Sequence, residues 1–337
     1  MAPTPVALVA PSGVTPNFSQ PKDVLHTVNY VIQSICLFLV TVMVVVRVYT
    51  RVMVQKVMYK EDWACIVSWC FCVLYITDNF LFNVFGGGYH QWDVSPQDAI
   101  DFQKVSYGGL LVYGPTAFFI KVTILLFFAR LYEAAFKTTL GIKILILLML
   151  GFYVPMGFAK VFICSPIAAY WDAAGYPDAT CLDVKTLYLA DTTVSVITDF
   201  AVLTTPVPLI WGMNLPKVKK LRVIASLAAG GIACVATVAR LVLLAMIIDS
   251  HDVTLNTVAL NLLAIAEVSI GLICACLPSL VVFCKHISKT CSQEKVKKSD
   301  HNIQMVNVGS SGKPIIRKGT FDDSMLRWTY VEVEADS

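Results

Sequence analysis

Six ionisable side chains lie inside long apolar stretches of the sequence, where a charge needs a reason to be present. They are Asp78, Lys121, Asp191, Asp199, Arg240 and Glu267. An unpaired charge at the centre of a bilayer costs roughly 2.5–3.5 kcal/mol on insertion scales. Ion pairs that set the packing of neighbouring helices are one use for these residues. The other is a polar cavity in which a ligand competes for one member of a pair.

The depth of each charge along its helix predicts which residues can pair. At about 1.5 Å per residue, Lys121 and Asp199 fall near the middle of their apolar stretches. The other four fall at mid-depth or on the outer side. We therefore expect Lys121 to pair with Asp199 or Glu267, and Arg240 to pair with Glu267 or Asp78. An acid left without a partner is a candidate proton donor for catalysis, and the candidates are Asp78, Asp199 and Glu267.

The composition indicates a chain whose natural solvent is lipid. Hydrophobic residues make up 57% of the sequence and charged residues 15%, whereas soluble domains contain about 25% charged residues. Seven stretches have the length of about 20 residues that a helix needs to cross a bilayer. They predict an all-α bundle of seven transmembrane helices, at Leu25–Val46, Trp63–Phe85, Val105–Phe128, Ile144–Ile163, Leu187–Trp211, Val223–Ile248 and Val258–Phe283. The expected organisation is an extracellular segment over residues 1–24, a membrane domain over 25–284 and a disordered tail over 285–337.

The distribution of lysine and arginine predicts how the bundle is oriented. Eleven of these residues follow predicted spans 1, 3 and 5, and three lie on the opposite side. Because short cytoplasmic loops carry the excess of positive charge, the N-terminus is expected outside and the C-terminus in the cytoplasm. The plasma membrane is the expected location, and an internal membrane is the alternative.

Two features on the predicted exterior side agree with this orientation. Asn17 begins an Asn-Phe-Ser glycosylation sequon in the N-terminal segment. Cys164 and Cys181 bracket the loop after the fourth span, which would face the oxidising compartment. We expect a disulfide between them, and the alternative is two free thiols at helix ends.

The sequence lacks the residues that several well-known kinds of site require. No group of Cys and His has the spacing of zinc ligands, so no metal is expected. A retinal Schiff base would need a lysine in the middle of the seventh span, whose first lysine is Lys285 at its edge, so no cofactor is expected. At the inner end of the third span, Arg130-Leu131-Tyr132 replaces the Asp-Arg-Tyr type of triplet found in G-protein-coupled receptors. The net charge of +3 gives no indication of a nucleic-acid partner.

An ordered set of short motifs runs from about Tyr30 to Cys284. The motifs are Glu61-Asp62-Trp63, Phe118 to Tyr132, Cys164-Ser165-Pro166, Tyr170-Trp171-Asp172, Cys181-Leu182-Asp183, Thr198-Asp199, Pro206-Val207-Pro208, Ala239-Arg240-Leu241, and Glu267 with Gly271 to Pro278. This set resembles the fungal rhodopsin-domain integral membrane proteins. The resemblance implies a seven-helix fold without retinal. Some members of the family are regarded as receptor-like sensors, and others are encoded in gene clusters for toxins and other secondary metabolites.

Two functions remain as hypotheses from the sequence. The first is a receptor-like protein in which an external small molecule perturbs the buried charges and a cytoplasmic signalling partner reads the change. The second is a membrane-embedded accessory protein or cyclase-type enzyme of a secondary-metabolite pathway. The expected partners are the lipid bilayer, a small-molecule ligand or substrate, and no nucleic acid. A transporter ranks third because the sequence shows no internal repeat.

Overall fold

The structure, a computed structural model, describes most of the membrane domain and parts of the tail. The described residues are 17, 21–131, 136–172, 175–206, 217–247, 252–304, 318–322 and 327–331. Side chains are described there except at 136, 137, 217–226 and 229 and from 291 onwards. The predicted end of the fifth span, from Val207 to Trp211, lies outside these residues.

Seven long helices dominate the described chain, and each is long and apolar enough to cross a membrane. In chain order they are α1 (His26–Tyr49), α2 (Lys60–Val84), α3 (Pro96–Leu131), α4 (Phe136–Val161), α5 (Val184–Thr204), α6 (Lys217–Ile247) and α7 (Val253–Gln304). The prediction of an all-α bundle with seven spans is confirmed. Large apolar side chains such as Phe38, Leu147 and Met246 point out of the bundle, as expected of helices whose outer faces contact lipid acyl chains.

Helices α1 and α3 extend beyond their predicted bounds for local reasons. A π-helical segment, Thr50–Gln55, continues α1 and ends where Lys56 adopts a left-handed backbone conformation with φ of 54°. Helix α3 begins at Pro96 rather than at Val105. The Ser95 side chain accepts the backbone N–H of Asp98 at 3.2 Å and donates to its carboxylate at 2.6 Å. This N-terminal cap stabilises a polar first turn that hydropathy alone does not reveal.

Short elements connect the helices at one end of the bundle. Strands β1 (Cys164–Ser165) and β2 (Thr180–Cys181) pair antiparallel between α4 and α5. A glycine turn follows α2, in which Gly88 has a φ of +89° and its carbonyl accepts the N–H of Leu25 at 3.0 Å. Because glycine alone adopts this conformation without strain, the turn can bring the end of α2 against the start of α1.

The main core lies between α1, α2, α3 and α7. Its fully buried members include Val40, Tyr75, Ile76, Ile265 and Leu272. Helix α7 comes close to α3 at Gly271, where an added methyl group would lie 3.0 Å from the Ile120 side chain. This core holds α3 and α7 in the register on which the buried charges depend.

The tail forms a separate unit from Cys284 to Ser337. It was predicted to begin at Lys285 without ordered structure, whereas α7 extends to Gln304. Strands β3 (Lys318–Asp322) and β4 (Arg327–Val331) then form an antiparallel hairpin.

Candidate functional site: a buried charge network between two cavities

Three of the buried ion pairs among the described residues lie in the middle of the bundle, and we call them the central charge network. They join Lys121 to Asp199, Arg240 to Glu267, and Lys160 to Asp191. Each of the six side chains is at most 11% exposed. Three cations balance three carboxylates, and the pairs link α3, α4, α5, α6 and α7. Charges this deeply buried require such pairing, because an isolated one would bear the full cost of desolvation.

The Lys121 ammonium lies among more oxygens than it has protons to donate. Its Nζ is 2.9 Å from Asp199 Oδ1 and 2.8 Å from the Thr198 hydroxyl. It also lies 3.0 Å from the Ser195 hydroxyl, 3.1 Å from the Ser195 carbonyl and 3.3 Å from the Tyr153 hydroxyl. An ammonium has three N–H donors, so Lys121 can change partners without losing its hydrogen bonds.

Glu267 is the acceptor at the centre of the network. The Tyr113 hydroxyl lies 2.9 Å from both of its carboxylate oxygens, and the Ser195 hydroxyl donates to one of them at 3.0 Å. Arg240 Nη1 approaches the other oxygen at 3.2 Å. The Arg240 guanidinium also stacks on the Tyr113 ring at 4.3 Å and donates to the Thr192 hydroxyl at 3.3 Å. Both arginine and serine therefore reach the same carboxylate from different helices.

Two small cavities lie on opposite sides of this network. The first, which we call the disulfide-end cavity, measures about 40 Å³ and is lined by Tyr113, Tyr188, Asp191, Thr192 and Arg240, among others. The second, the inner cavity, measures about 50 Å³ and is lined by Lys121, Asp199 and Glu267 with apolar residues. Since one buried water needs about 10–15 Å³, each has room for a few waters or one small polar group.

Four helices, α3, α5, α6 and α7, line both cavities. On each of them the lining residues change from one cavity to the other at about the same level. On α3 the disulfide-end cavity uses residues up to Tyr113, and the inner cavity begins at Ala117. On α7 the corresponding boundary falls between Ala264 and Glu267. The hydrogen bonds among Tyr113, Glu267, Arg240 and Ser195 occupy this boundary. The Arg240–Glu267 pair of the central network therefore lies between the two cavities.

Asp78 does not take part in this network. Its carboxylate lies against Gly108 and Gly109 of α3, where an added methyl group at Gly108 would be 3.0 Å from Oδ1. Its Oδ2 is buried and has no hydrogen-bond partner among the described residues. Of the two partners predicted for Arg240, the structure pairs it with Glu267 and leaves Asp78 against helix α3.

A second cluster of charges lies at the opposite end of the bundle from β1 and β2, and we call it the charged-end cluster. Asp62 contacts Arg47 at 2.7 Å and Arg51 at 3.1 Å, while Glu61 contacts Arg130 at 2.7 Å and Arg51 at 3.5 Å. Arg47 also donates to the carbonyl of Ala275 on α7. Three arginines that follow predicted spans 1 and 3 thus join α1, α2, α3 and α7.

Part of the central network was not predicted from the sequence. Lys160, which was not among the predicted buried charges, is 2% exposed and pairs with Asp191 at 2.9 Å. The hydroxyls of Tyr113, Thr192 and Ser195 were not predicted as members either. A signal for the last two existed, since Thr192, Ser195 and Asp199 share one face of a helix by their spacing.

The disulfide between Cys164 and Cys181 closes the loop above the disulfide-end cavity. Its two half-cystines face each other across β1 and β2. Immediately beyond it, the Thr186 hydroxyl donates to Asp183 at 2.6 Å, and this hydrogen bond lowers the pKa of the Asp183 carboxyl. Asn17 is exposed at the same end, with its backbone N–H bonded to Asp93 at 3.0 Å.

Comparison with known protein families identifies the fold. The model of the fungal rhodopsin domain matches residues 46–286, which include the end of the first span, all of the second to sixth spans and most of the seventh. The chain belongs to this family. In this fungal rhodopsin-domain protein, the matched region contains all six residues of the central network and both half-cystines.

Three relatives of this fungal rhodopsin-domain protein are informative. It is 29% identical over 203 residues to a SAT4 family membrane protein of Emericella nidulans, covering 60% of this chain and 51% of that one. It is 24% identical over 283 residues to the fugralins biosynthesis cluster protein 2 of Gibberella zeae, covering 81% and 69%. It is 23% identical over 254 residues to the polyenoic acids biosynthesis gene cluster protein Ba17b of Metarhizium anisopliae, covering 71% and 68%. The chain spans about half the length of the first of these relatives, and no solved structure matches it.

Proposed function

We propose that this multi-pass membrane protein is receptor-like and responds to an external small molecule through the central charge network. The observation that carries the proposal is the position of the Arg240–Glu267 pair, which separates the disulfide-end cavity from the inner cavity. A molecule in the first cavity would meet Arg240 directly. Any shift of that residue would reach α5 and α7 through Thr192 and Glu267.

The network has the alternative contacts that a switch requires. A ligand shifts a conformational equilibrium only by its differential affinity for two states. Lys121 has five oxygens within hydrogen-bonding distance, and Glu267 has donors on α3 and α5 besides Arg240. Exchange of partners therefore leaves both charged groups with hydrogen bonds, which lowers the free energy of the second state.

The proposal includes a location in the plasma membrane with the N-terminus outside. The disulfide-end cavity would then face the exterior. Basic residues at the charged end and the disulfide at the other support this orientation. A cytoplasmic partner would read the rearrangement at the charged end.

The test is replacement of the gene by variants in its own fungal host. A deletion strain should lose a transcriptional response to an external extract that wild type restores. Glu267→Gln should fail to restore it. Asp101→Asn on α3, whose exposed partner is Lys104, is the matched control and should restore it. An unchanged response in the deletion strain would overturn the receptor proposal.

A second function is favoured by the names of two relatives, which place those proteins in biosynthetic clusters. In this alternative the chain is an accessory protein or cyclase-type enzyme of a secondary-metabolite pathway. The unpartnered Oδ2 of Asp78 supports it, because an unpaired buried carboxyl is a candidate proton donor. Accumulation of one pathway intermediate in the deletion strain, with unchanged transcripts of neighbouring genes, would favour this function over the receptor.

A further inference from the structure

The Arg240–Glu267 pair is asymmetric with respect to the two cavities. Arg240 lines the disulfide-end cavity together with its partner Thr192. Glu267 lines the inner cavity. A molecule that enters from the disulfide end therefore meets the cation of this pair before it meets the carboxylate.

Arg240 has hydrogen-bonding capacity that its described contacts do not use. A guanidinium carries five N–H donors in a planar fork. The described hydrogen bonds of Arg240 go to Glu267 and Thr192, from Nη1 and Nη2. The stack on Tyr113 occupies one face of its plane, which leaves its edge for a further acceptor.

Glu267 keeps other hydrogen-bond donors when Arg240 turns towards a ligand. Tyr113 and Ser195 donate to it at 2.9–3.0 Å, which is shorter than its 3.2 Å contact with Arg240. Lys121 lies 3.0 Å from the same Ser195 hydroxyl and extends the support. Removal of one partner from a buried pair is strongly unfavourable, and the hydroxyl donors that remain on Glu267 reduce the part of this cost that a ligand of Arg240 must offset.

The remaining walls of the disulfide-end cavity favour an anion over a cation. Asp191, its acidic wall residue, is already paired with Lys160 at 2.9 Å. Asn261 accepts from the Tyr75 hydroxyl through its side-chain oxygen at 3.1 Å, so its amide N–H groups are the donors that remain. Phe82, Leu244 and Leu260 line the same cavity and suit an unsaturated or aliphatic chain.

We propose that the disulfide-end cavity is a subsite for the carboxylate of a small unsaturated or aliphatic acid, and that Arg240 binds this carboxylate in competition with Glu267. The inference rests on the proposed function and adds the ligand class. The present cavity of about 40 Å³ admits the carboxylate and its first carbons. The rest of the chain would lie along Phe82, Leu244 and Leu260 once the helices separate, so binding and rearrangement are coupled.

The test measures binding of sorbate, a six-carbon dienoic carboxylate, to the full-length chain in lipid nanodiscs. Its neutral amide, sorbamide, has the same shape and lacks the charge. We expect saturable heat of binding for sorbate by isothermal titration calorimetry, and an affinity for the amide at least about tenfold lower, which corresponds to 1.4 kcal/mol. Equal binding of acid and amide would overturn the proposal, as would no saturable binding of sorbate.

Two variants separate ligand binding from a structural role. Arg240→Gln should lose sorbate binding. Glu267→Gln should bind sorbate more tightly than wild type, because the competing carboxylate is gone. A variant that merely damaged the bundle would weaken binding at either position, so weaker binding in Glu267→Gln would also overturn the proposal. Arg130→Gln in the charged-end cluster is the matched control and should bind like wild type.

This experiment and the host-strain experiment fail independently. If sorbate does not bind but the deletion strain loses its response to an external extract, the carboxylate class is wrong and the receptor remains. If sorbate binds as described and the strain shows an accumulated intermediate with no lost response, the subsite serves a pathway substrate and the receptor is wrong.

Discussion

Arg240 of α6 and Glu267 of α7 lie 3.2 Å apart at the boundary between two cavities, and both side chains are at most 8% exposed. Tyr113 of α3 contacts both, through its hydroxyl on the carboxylate and its ring on the guanidinium. The contacts among Tyr113, Arg240 and Glu267 therefore join α3, α6 and α7 at the level between the two cavities.

Removal of one member of this pair should destabilise the bundle more than removal of both. Arg240→Met leaves Glu267 buried without its cation, a loss on the order of 3–5 kcal/mol for buried pairs. The double variant Arg240→Met with Glu267→Leu should recover a large part of that loss. Unfolding free energies measured in bicelles would check this, and additive losses in the double variant would contradict it.

The pair between α4 and α5 should contribute in the same way. Lys160→Met leaves Asp191 buried without its 2.9 Å partner, so the melting temperature in detergent should fall clearly. Lys143→Met, on an exposed position of the same helix, is the matched control and should leave it near the wild-type value. If both variants melt alike, Lys160 does not stabilise the fold.

Loss of the disulfide should loosen the loop above the disulfide-end cavity. Cys164 and Cys181 are 17 residues apart, and closing a loop of this length is worth about 3 kcal/mol in the chain-entropy model. Cys164→Ser, or treatment with dithiothreitol, should lower the melting temperature by similar amounts. Cys70→Ser, at an exposed free thiol, is the control, and a melting temperature insensitive to reductant would show that the bond is dispensable.

At the charged end, the effect of an arginine substitution should follow its burial. Arg47 is 1% exposed and bonds both Asp62 and the carbonyl of Ala275, so Arg47→Met should cost on the order of 3–5 kcal/mol. The Arg130 side chain is 37% exposed, and Arg130→Met should cost roughly 1 kcal/mol or less. The two unfolding free energies compared side by side provide the test, and the reverse order would contradict it.

The predicted orientation can be tested at both termini. With the N-terminus outside, Asn17 enters the oxidising lumen during synthesis and should carry a glycan. Digestion with an N-glycosidase should then increase the mobility of wild type on a gel but not that of Asn17→Gln. In intact cells, protease should remove an N-terminal tag and leave a C-terminal tag, and the opposite pattern would reverse the orientation.

What the sequence determined by itself follows from the cost of placing polar groups in lipid. Because of that cost, apolar stretches of about 20 residues predict transmembrane helices. For the same reason, Lys121, Asp199, Arg240 and Glu267 are predicted to form ion pairs. Depth along each helix narrowed the partners of Lys121 to two. The polar start of α3, from Pro96 to Lys104, was not predicted to be helical. Its helical state depends on the Ser95 cap rather than on hydropathy.

Only the tertiary structure decided which helices are neighbours and how each is rotated, and the pairs depend on both. Asp78 and Glu267 were equal candidates for Arg240, but rotation of α2 turns Asp78 towards the glycines of α3. Lys160 was not predicted to be a buried charge, and only the packing of α4 against α5 places it on Asp191. The inner cavity is lined by four helices and the disulfide-end cavity by five, and each depends on packing that no single stretch of sequence contains.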